Sequence, residues 1–263
     1  MSALVKAAWS YRGFVRSSIV NEFKSRLARS RFGAAWIVLH PLAQVLIFAT
    51  ILSSVLAARL QGIENKYGYA AYLMAGFLCW NLFTEIVQRC LTVFIDQASL
   101  LKKMQFPRIA LPLVVIGSAL VSSVALLVVI MAIFPMLGLY PSIAWIWLPV
   151  LLLLTVAFAT GLGLLLGTLN VFVRDIGQVM MVVLQFWFWV TPIVYPVSII
   201  PERFKATLAF NPMAPLVGAY HNVMIFGRPP SSDLWITVVA TLLLLSASLV
   251  VFRRASPELV DAL

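Results

Sequence analysis

Few side chains in this sequence could do chemistry, and their spacing limits what that chemistry is. The only histidines are His40, beside Pro41, and His221. No metal triad or acid–base pair can be assembled between them. Cys79 and Cys90 lie in one apolar stretch, about 16 Å apart along a helix axis, too far to bridge each other. Gly161, Gly163 and Gly167 lack the Lys-Ser/Thr ending of a phosphate-binding loop. They fall in an apolar run, where small residues let helix backbones approach closely. The sequence therefore predicts no metal site, no catalytic centre and no nucleotide hydrolysis by this chain. Two charged pairs remain. Glu85 and Arg89 are four residues apart, which permits an intrahelical ion pair, read either as an interface pair or as a gating or substrate contact. Asp175, beside Arg174, opens an apolar run and suits a helix N-terminus electrostatically, so the pair is read as structural capping or as part of a gate.

The elements that must position these groups belong to a membrane protein. Of the 263 residues, 62% are hydrophobic types and only 11% are charged, with a mean hydropathy of +1.01. A soluble domain carries roughly 25% charged residues. The same figures exclude intrinsic disorder. A net charge of +10 would ordinarily suggest nucleic acid, but an excess of Lys and Arg on the cytoplasmic side of a membrane accounts for it, and no nucleic-acid partner is expected. The basic N-terminus is not followed by a short apolar region with a small-residue cleavage site, so a cleaved signal peptide is not expected.

A helical span needs about 20 mostly apolar residues. Uncharged runs place spans at 32–58, 67–91, 109–134, 146–170, 176–196 and 234–252. Between Ile109 and Val173 there is no charged residue, and Pro135, Gly138, Pro141 and Pro149 mark a turn that divides the run in two. Six spans put both termini on one side. That side then carries fourteen Lys and Arg against five opposite, so both termini are expected in the cytoplasm, with 253–263 as a cytoplasmic tail. Residues 206–227 are also uncharged and long enough for a seventh span, which would change the ratio only to thirteen against six. Asn211, Pro212, Pro215, His221 and Asn222 would leave polar groups in lipid there, so 197–233 is read as an outer-side re-entrant pair of short helices. Before the first span, Val15, Ile19, Phe23 and Leu27 recur at i+4 as an apolar stripe among basic residues. Residues 1–31 are accordingly read as an amphipathic helix lying in the cytoplasmic interface, a disordered basic tail being the other reading. The expected fold class is all-α: one polytopic transmembrane domain over 1–263, with six transmembrane helices, an N-terminal amphipathic interface helix and re-entrant outer-side helices between spans five and six.

Three stretches together resemble one family. The first is Glu22-Phe23-Lys24-Ser25-Arg26, then Ser30-Arg31-Phe32-Gly33-Ala34-Ala35-Trp36 and Pro41-Leu42. The second is Leu101-Lys102-Lys103-Met104-Gln105-Phe106-Pro107-Arg108. The third runs from Arg174-Asp175-Ile176 through Trp187 to Thr191-Pro192-Ile193-Val194-Tyr195-Pro196, with Asn211-Pro212 following. Their order and spacing are similar to those of the transmembrane permease subunits of ABC transporters that export polysaccharides such as O-antigen, capsule and teichoic acid. Asn21-Glu22 and His221 depart from that pattern locally.

The resemblance implies a channel made of two copies of this chain, paired with two copies of a separate ATPase subunit in a bacterial inner membrane. ATP and Mg²⁺ would be held by the ATPase, with no cofactor in this chain. The substrate would be a polysaccharide such as O-antigen, expected to be lipid-linked. In that picture Leu101, Lys102, Lys103, Gln105, Phe106 and Arg108 couple the permease to the ATPase. Phe106 offers an aromatic anchor for a partner's pocket, and the charges alone could instead serve topology. Trp187, Phe188, Trp189 and Tyr195 become the expected substrate path, since aromatic faces contact the apolar C–H side of a pyranose. Packing and an interfacial aromatic belt are the other reading of these rings. Export of drugs or small lipids, and a non-conducting anchor of an enzyme complex, are the alternative functions.

Overall fold

The computed structural model describes residues 10–29, 35–56, 67–103, 108–208, 210–259 and 262. All regular elements among them are helical. In chain order they are α1 (Arg12–Arg29), α2 (Trp36–Leu56), α3 (Gly68–Asp96), α4 (Ala98–Lys103), α5 (Ala110–Met136), α6 (Leu148–Phe172), α7 (Asp175–Val190), α8 (Glu202–Leu208), α9 (Met213–Met224) and α10 (Leu234–Ala255). Short 3-10 turns occupy Ile143–Trp147, leading into α6, and Val197–Ile199.

Helix is the form an apolar run must take where water cannot satisfy the backbone, because every N–H and C=O is then paired within one segment. Four of the described units are long and apolar enough to cross a bilayer: α3, α5, the continuous unit Ile143–Phe172, and α10. The uncharged run 109–173 divides as its turn residues require. α5 ends at Met136 and Gly138 takes φ 78°, a left-handed backbone that glycine adopts at no steric cost.

α3 is the central helix. It has 29 residues, about 43 Å at 1.5 Å per residue, and is buried round most of its circumference by α2, α5, α6, α7 and α9. Its closest neighbour is α6, and glycines make that approach possible. A Cβ at Gly163 would stand 2.9 Å from the Cβ of Cys90, and one at Gly167 would lie 2.9 Å from the carbonyl carbon of Cys90. On another face of α6, a Cβ at Gly161 would meet Leu244 of α10 at 3.0 Å. The glycines expected to serve helix packing therefore join α6 to α3 and to α10.

Two ends of the bundle can be told apart by their contacts. At one, Phe94 stacks on Phe252 with ring centroids 5.9 Å apart, and the Arg108 guanidinium donates to Ser256 Oγ at 2.9 Å. There too Asn170 donates to the Leu91 carbonyl at 2.8 Å and accepts the Gly177 N–H at 2.7 Å, locking the turn between α6 and α7 onto α3. Lys102, Arg174, Arg253 and Arg254 are exposed beside these contacts. At the other end Phe134 meets Trp145 edge-on at 5.6 Å, and the segment after α7 is held against α3 and α9.

α7 stops at Val190, so the helix is shorter than the 176–196 run. Pro192 disfavours helical backbone at Thr191, which is extended at ψ 133°. Residues 197–233 contain two short helices, α8 and α9, separated at Asn211-Pro212. α9 has 12 residues, about 18 Å, too short for a hydrocarbon core of ~30 Å. It is buried against α3, α6 and α10. α1 packs on α5: Val15, Ile19 and Phe23 of its stripe are part-buried, Arg16 and Lys24 are exposed, and any side chain at Gly117 would collide with Ile19.

Candidate functional site

A cavity of about 970 Å³ opens between α2, α3, α5 and α7. Its lining has two chemical characters. One wall is aromatic. Phe48, Phe77, Trp80, Phe188 and Trp189 border it and touch one another, with centroid separations of 5.6 Å for Phe48–Phe77, 5.9 Å for Phe77–Phe188, 5.6 Å for Trp80–Phe188 and 5.3 Å for Phe188–Trp189. The other character is neutral and polar, from Gln44, Asn81, Thr84, Gln88, Ser122, Ser123 and Gln185. Among the described lining residues, charge enters at one place. Glu85 and Arg89 border the cavity near the end where Trp36 and His40 begin α2.

The aromatic run of α7 is split by the helix period. Consecutive residues point about 100° apart, so Phe188 and Trp189 turn toward the cavity while Trp187 turns into the protein. Trp187 lies edge-on to Phe83 at 5.4 Å and to Phe158 at 6.4 Å, and its indole N–H donates to Asn211 Oδ1 at 2.8 Å. Asn211 also accepts the Met213 N–H at 3.0 Å and donates to Thr191 Oγ1 at 3.0 Å. Thr191 Oγ1 in turn donates to the Trp187 carbonyl at 2.8 Å. This knot ties the end of α7 to the start of α9. Tyr195 belongs to the same turn. Its hydroxyl donates to the Trp189 carbonyl at 2.6 Å and its carbonyl accepts Tyr72 Oη–H at 3.2 Å, while Tyr69 Oη–H donates to the Val194 carbonyl at 2.9 Å. Of the four aromatic residues singled out in the sequence, the cavity thus brings together Phe188 and Trp189. Trp187 and Tyr195 are joined to its frame.

Glu85 and Arg89 do pair, at 3.4 Å, and a second carboxylate joins them. Arg89 Nη2 donates to Glu22 Oε2 at 2.9 Å, and the same oxygen accepts Ser118 Oγ–H at 2.6 Å. One guanidinium therefore binds α1 to α3, and one hydroxyl binds α1 to α5. Glu22 was not legible as this partner, since 67 residues separate it from Arg89 and only the docking of α1 brings them together. Phe48, Phe77, Trp80, Gln44 and Asn81 were also unmarked by the sequence. The signal that could have found the last two is an amide side chain within an otherwise apolar run.

Arg174 and Asp175 are exposed at the N-terminus of α7, with Asp175 in its first turn. Leu101 is buried at the end of α3's neighbour α4, Lys102 is exposed, and Arg108 is tied to Ser256. The Lys103 side chain, Gln105 and Phe106 lie outside the described residues. His221 is buried with its ring stacked on Tyr72 at 3.6 Å, away from the cavity. Among the described residues no cluster of three metal-ligating side chains occurs.

The arrangement of the described lining residues is one of rings, amides and hydroxyls. It offers a surface of rings and uncharged hydrogen-bonding groups, suited to contact a ligand and let it go. Comparison with known proteins agrees in kind. The chain is 27% identical to an O-antigen export system permease protein, RfbA, of Myxococcus xanthus, over the full length of both. A Klebsiella pneumoniae protein of the same name is 29% identical over 78% of each chain. The polysialic acid transport protein KpsM of Escherichia coli is 23% identical over 77% of this chain and 78% of its own. Residues 15–225 match the profile of the family described as ABC-2 type transporter. With four-fifths of its length so matched and its helices apolar enough to cross a bilayer, the chain is a multi-pass membrane protein that belongs to the ABC-2 type transporter family.

Proposed function

We propose that this chain is the channel-forming permease of an ATP-driven exporter that carries a polysaccharide of the O-antigen kind, attached to a lipid, across the bacterial inner membrane. Two copies form the channel, and two copies of a separate ATPase, holding ATP and Mg²⁺, drive it. α2 and α7 complete a six-span plan with both termini cytoplasmic. α1 lies in the inner interface, and α8 and α9 form the outer re-entrant segment.

The observation that carries this reading is the cavity lining: five rings that each touch Phe188 or are Phe188 itself, beside a set of neutral amides and hydroxyls, with charge among the described lining residues limited to Glu85 and Arg89. Rings contact the C–H faces of sugars, amides and hydroxyls exchange hydrogen bonds with their OH groups, and the scarcity of fixed charge avoids trapping a moving polymer. The names of the relatives supply the substrate class. The clustering of Lys102, Arg108, Arg174, Arg253 and Arg254 at one end of the bundle supports a cytoplasmic end there. The segment from Leu101 to Arg108, with Lys102, Lys103, Gln105 and Phe106, is where the ATPase would engage.

The test is genetic and biochemical together. Deletion of the gene should abolish surface polymer while polymer accumulates inside, and the purified permease should carry two ATPase subunits per pair of its own chains. Normal surface polymer in the deletion strain, or purification with a different enzyme and no ATPase, would defeat the proposal.

A further inference from the structure

We propose that Gln44, Asn81, Ser122 and Ser123 form a hydrogen-bonding subsite on the cavity wall between α2, α3 and α5 that binds an uncharged, hydroxyl-bearing unit, a neutral pyranose. The inference deepens the export reading and rests on it.

All four residues border the cavity. Each keeps a buried side-chain atom with no hydrogen-bond partner among the described residues: Gln44 Oε1, Asn81 Nδ2, Ser122 Oγ and Ser123 Oγ. Buried polar groups in folded proteins are almost always paired, so four on three helices, in residues that border one space, need an account. The serines make the point most clearly. A hydroxyl in an apolar helix usually returns to its own backbone three or four residues earlier. On α5 Ser118 gives its proton to Glu22 while lying 2.9 Å from the Val114 carbonyl, and on other helices Thr155, Thr168, Thr241 and Ser248 do return to the backbone. Ser122 and Ser123, one turn further along α5, do not.

The set also discriminates between ligand classes. Gln44 Oε1 only accepts, Asn81 Nδ2 only donates, and each hydroxyl does both. A cation would want acceptors and an anion donors, whereas a sugar hydroxyl, itself donor and acceptor, matches a mixed set. Among the described residues, the ionic groups that border the wall are Glu85 and Arg89, and Arg89 is engaged by two carboxylates, Glu85 and Glu22. At about 30 Å³ per water molecule, a space of this size exceeds what one or two ordered waters fill. The aromatic wall, with Phe77, Trp80 and Phe188, stands on the same cavity to take the ring's C–H face.

The test uses the intact permease–ATPase complex in lipid nanodiscs, with labelled maltohexaose as neutral probe and the hexamer of galacturonic acid as charged control. Gln44→Met, Asn81→Leu and the double variant Ser122→Ala with Ser123→Ala should each raise the half-saturating concentration of maltohexaose about three- to tenfold, the loss of a neutral hydrogen bond or two. Their thermal midpoints should hold or rise, because apolar groups replace unpaired polar ones. Should Asn81→Leu fail to assemble, the other two variants carry the same expectation. Unchanged maltohexaose binding in the variants, binding that falls only in step with thermal stability, or equal binding of the charged hexamer would each overturn the subsite. If the wild type binds neither hexamer yet its deletion still abolishes surface polymer, the subsite fails while the export reading stands.

Discussion

Trp187 should prove to be a structural residue whose loss is felt in folding. In Trp187→Ala the indole leaves a void between Phe83, Phe158 and Asn211. A residual void on the order of 100 Å³, at about 24 cal/mol per Å³, costs about 2.4 kcal/mol. Two edge-on ring contacts are lost with it, each contributing ~0.5–1.5 kcal/mol. The hydrogen bond to Asn211 contributes about 1 kcal/mol more, and not the larger penalty of an orphaned acceptor, because Asn211 Oδ1 keeps the Met213 N–H. The sum is roughly 4–6 kcal/mol. Trp187→Phe retains a ring in the gap and should lose only about 1–2 kcal/mol. At ~2–4 °C per kcal/mol for a chain of this size, the thermal midpoint of the purified complex should fall by about 10–25 °C for alanine and by a few degrees for phenylalanine. The assay pairs that midpoint with surface polymer measured per folded, ATPase-bound permease, which should stay near normal for whatever Trp187→Ala protein survives. Trp189→Ala should behave in the opposite sense, since Trp189 is 53% exposed at the cavity edge. Its midpoint should barely move and its export per folded permease should drop. A Trp187→Ala complex of unchanged stability and impaired export would refute this division of the aromatic run.

Gly167→Ala should reduce folded permease severely, because its Cβ would enter the backbone of Cys90, whereas Gly218→Ala in α9 meets nothing within 4 Å and should stabilise by about 0.5–1 kcal/mol; thermal midpoints measure both. Phe106→Ala removes a ring without altering charge, so insertion and orientation should survive while export and transport-linked ATPase activity fall, as export and ATPase assays on one preparation will tell. Single cysteines at Ala206 and Gly227, in a background lacking the buried Cys79 and Cys90, should both react with an impermeant thiol reagent from outside the cell. Labelling of one of them only from the cytoplasm would demand a seventh span.

Much of the helical plan was written in where charges and prolines are absent or present. The uncharged run 109–173 became α5 and α6 because nothing in it is costly in lipid, and Pro135 through Pro141 mark where it turns. α3 carries Glu85 and Arg89, as the span at 67–91 already did, and what the sequence could not show is that Glu22 of α1 also pairs with Arg89. The site was legible only as a region. The run Phe186 to Trp189 is apolar on all sides, so its periodicity carries no direction, and the inward choice of Trp187 comes from Asn211, 24 residues on. Asn211-Pro212 was read as a break, but the bond that makes the break a knot depends on α9 folding back against α3. The unpaired polar atoms lie on three helices, and nothing short of their packing puts them on one cavity.

The central claim is that polymer passes along the cavity that Phe188 faces, and the most direct measurement is to catch it there. The photocrosslinking residue p-benzoylphenylalanine, placed at position 188 and, as control, at 186, where Phe186 is 69% exposed and borders no part of the cavity, should be irradiated in cells exporting polymer. The account predicts a polymer–permease adduct at 188 that disappears when the ATPase is inactive, and none at 186. Adducts at 186 with none at 188, in a permease that still exports, would contradict it.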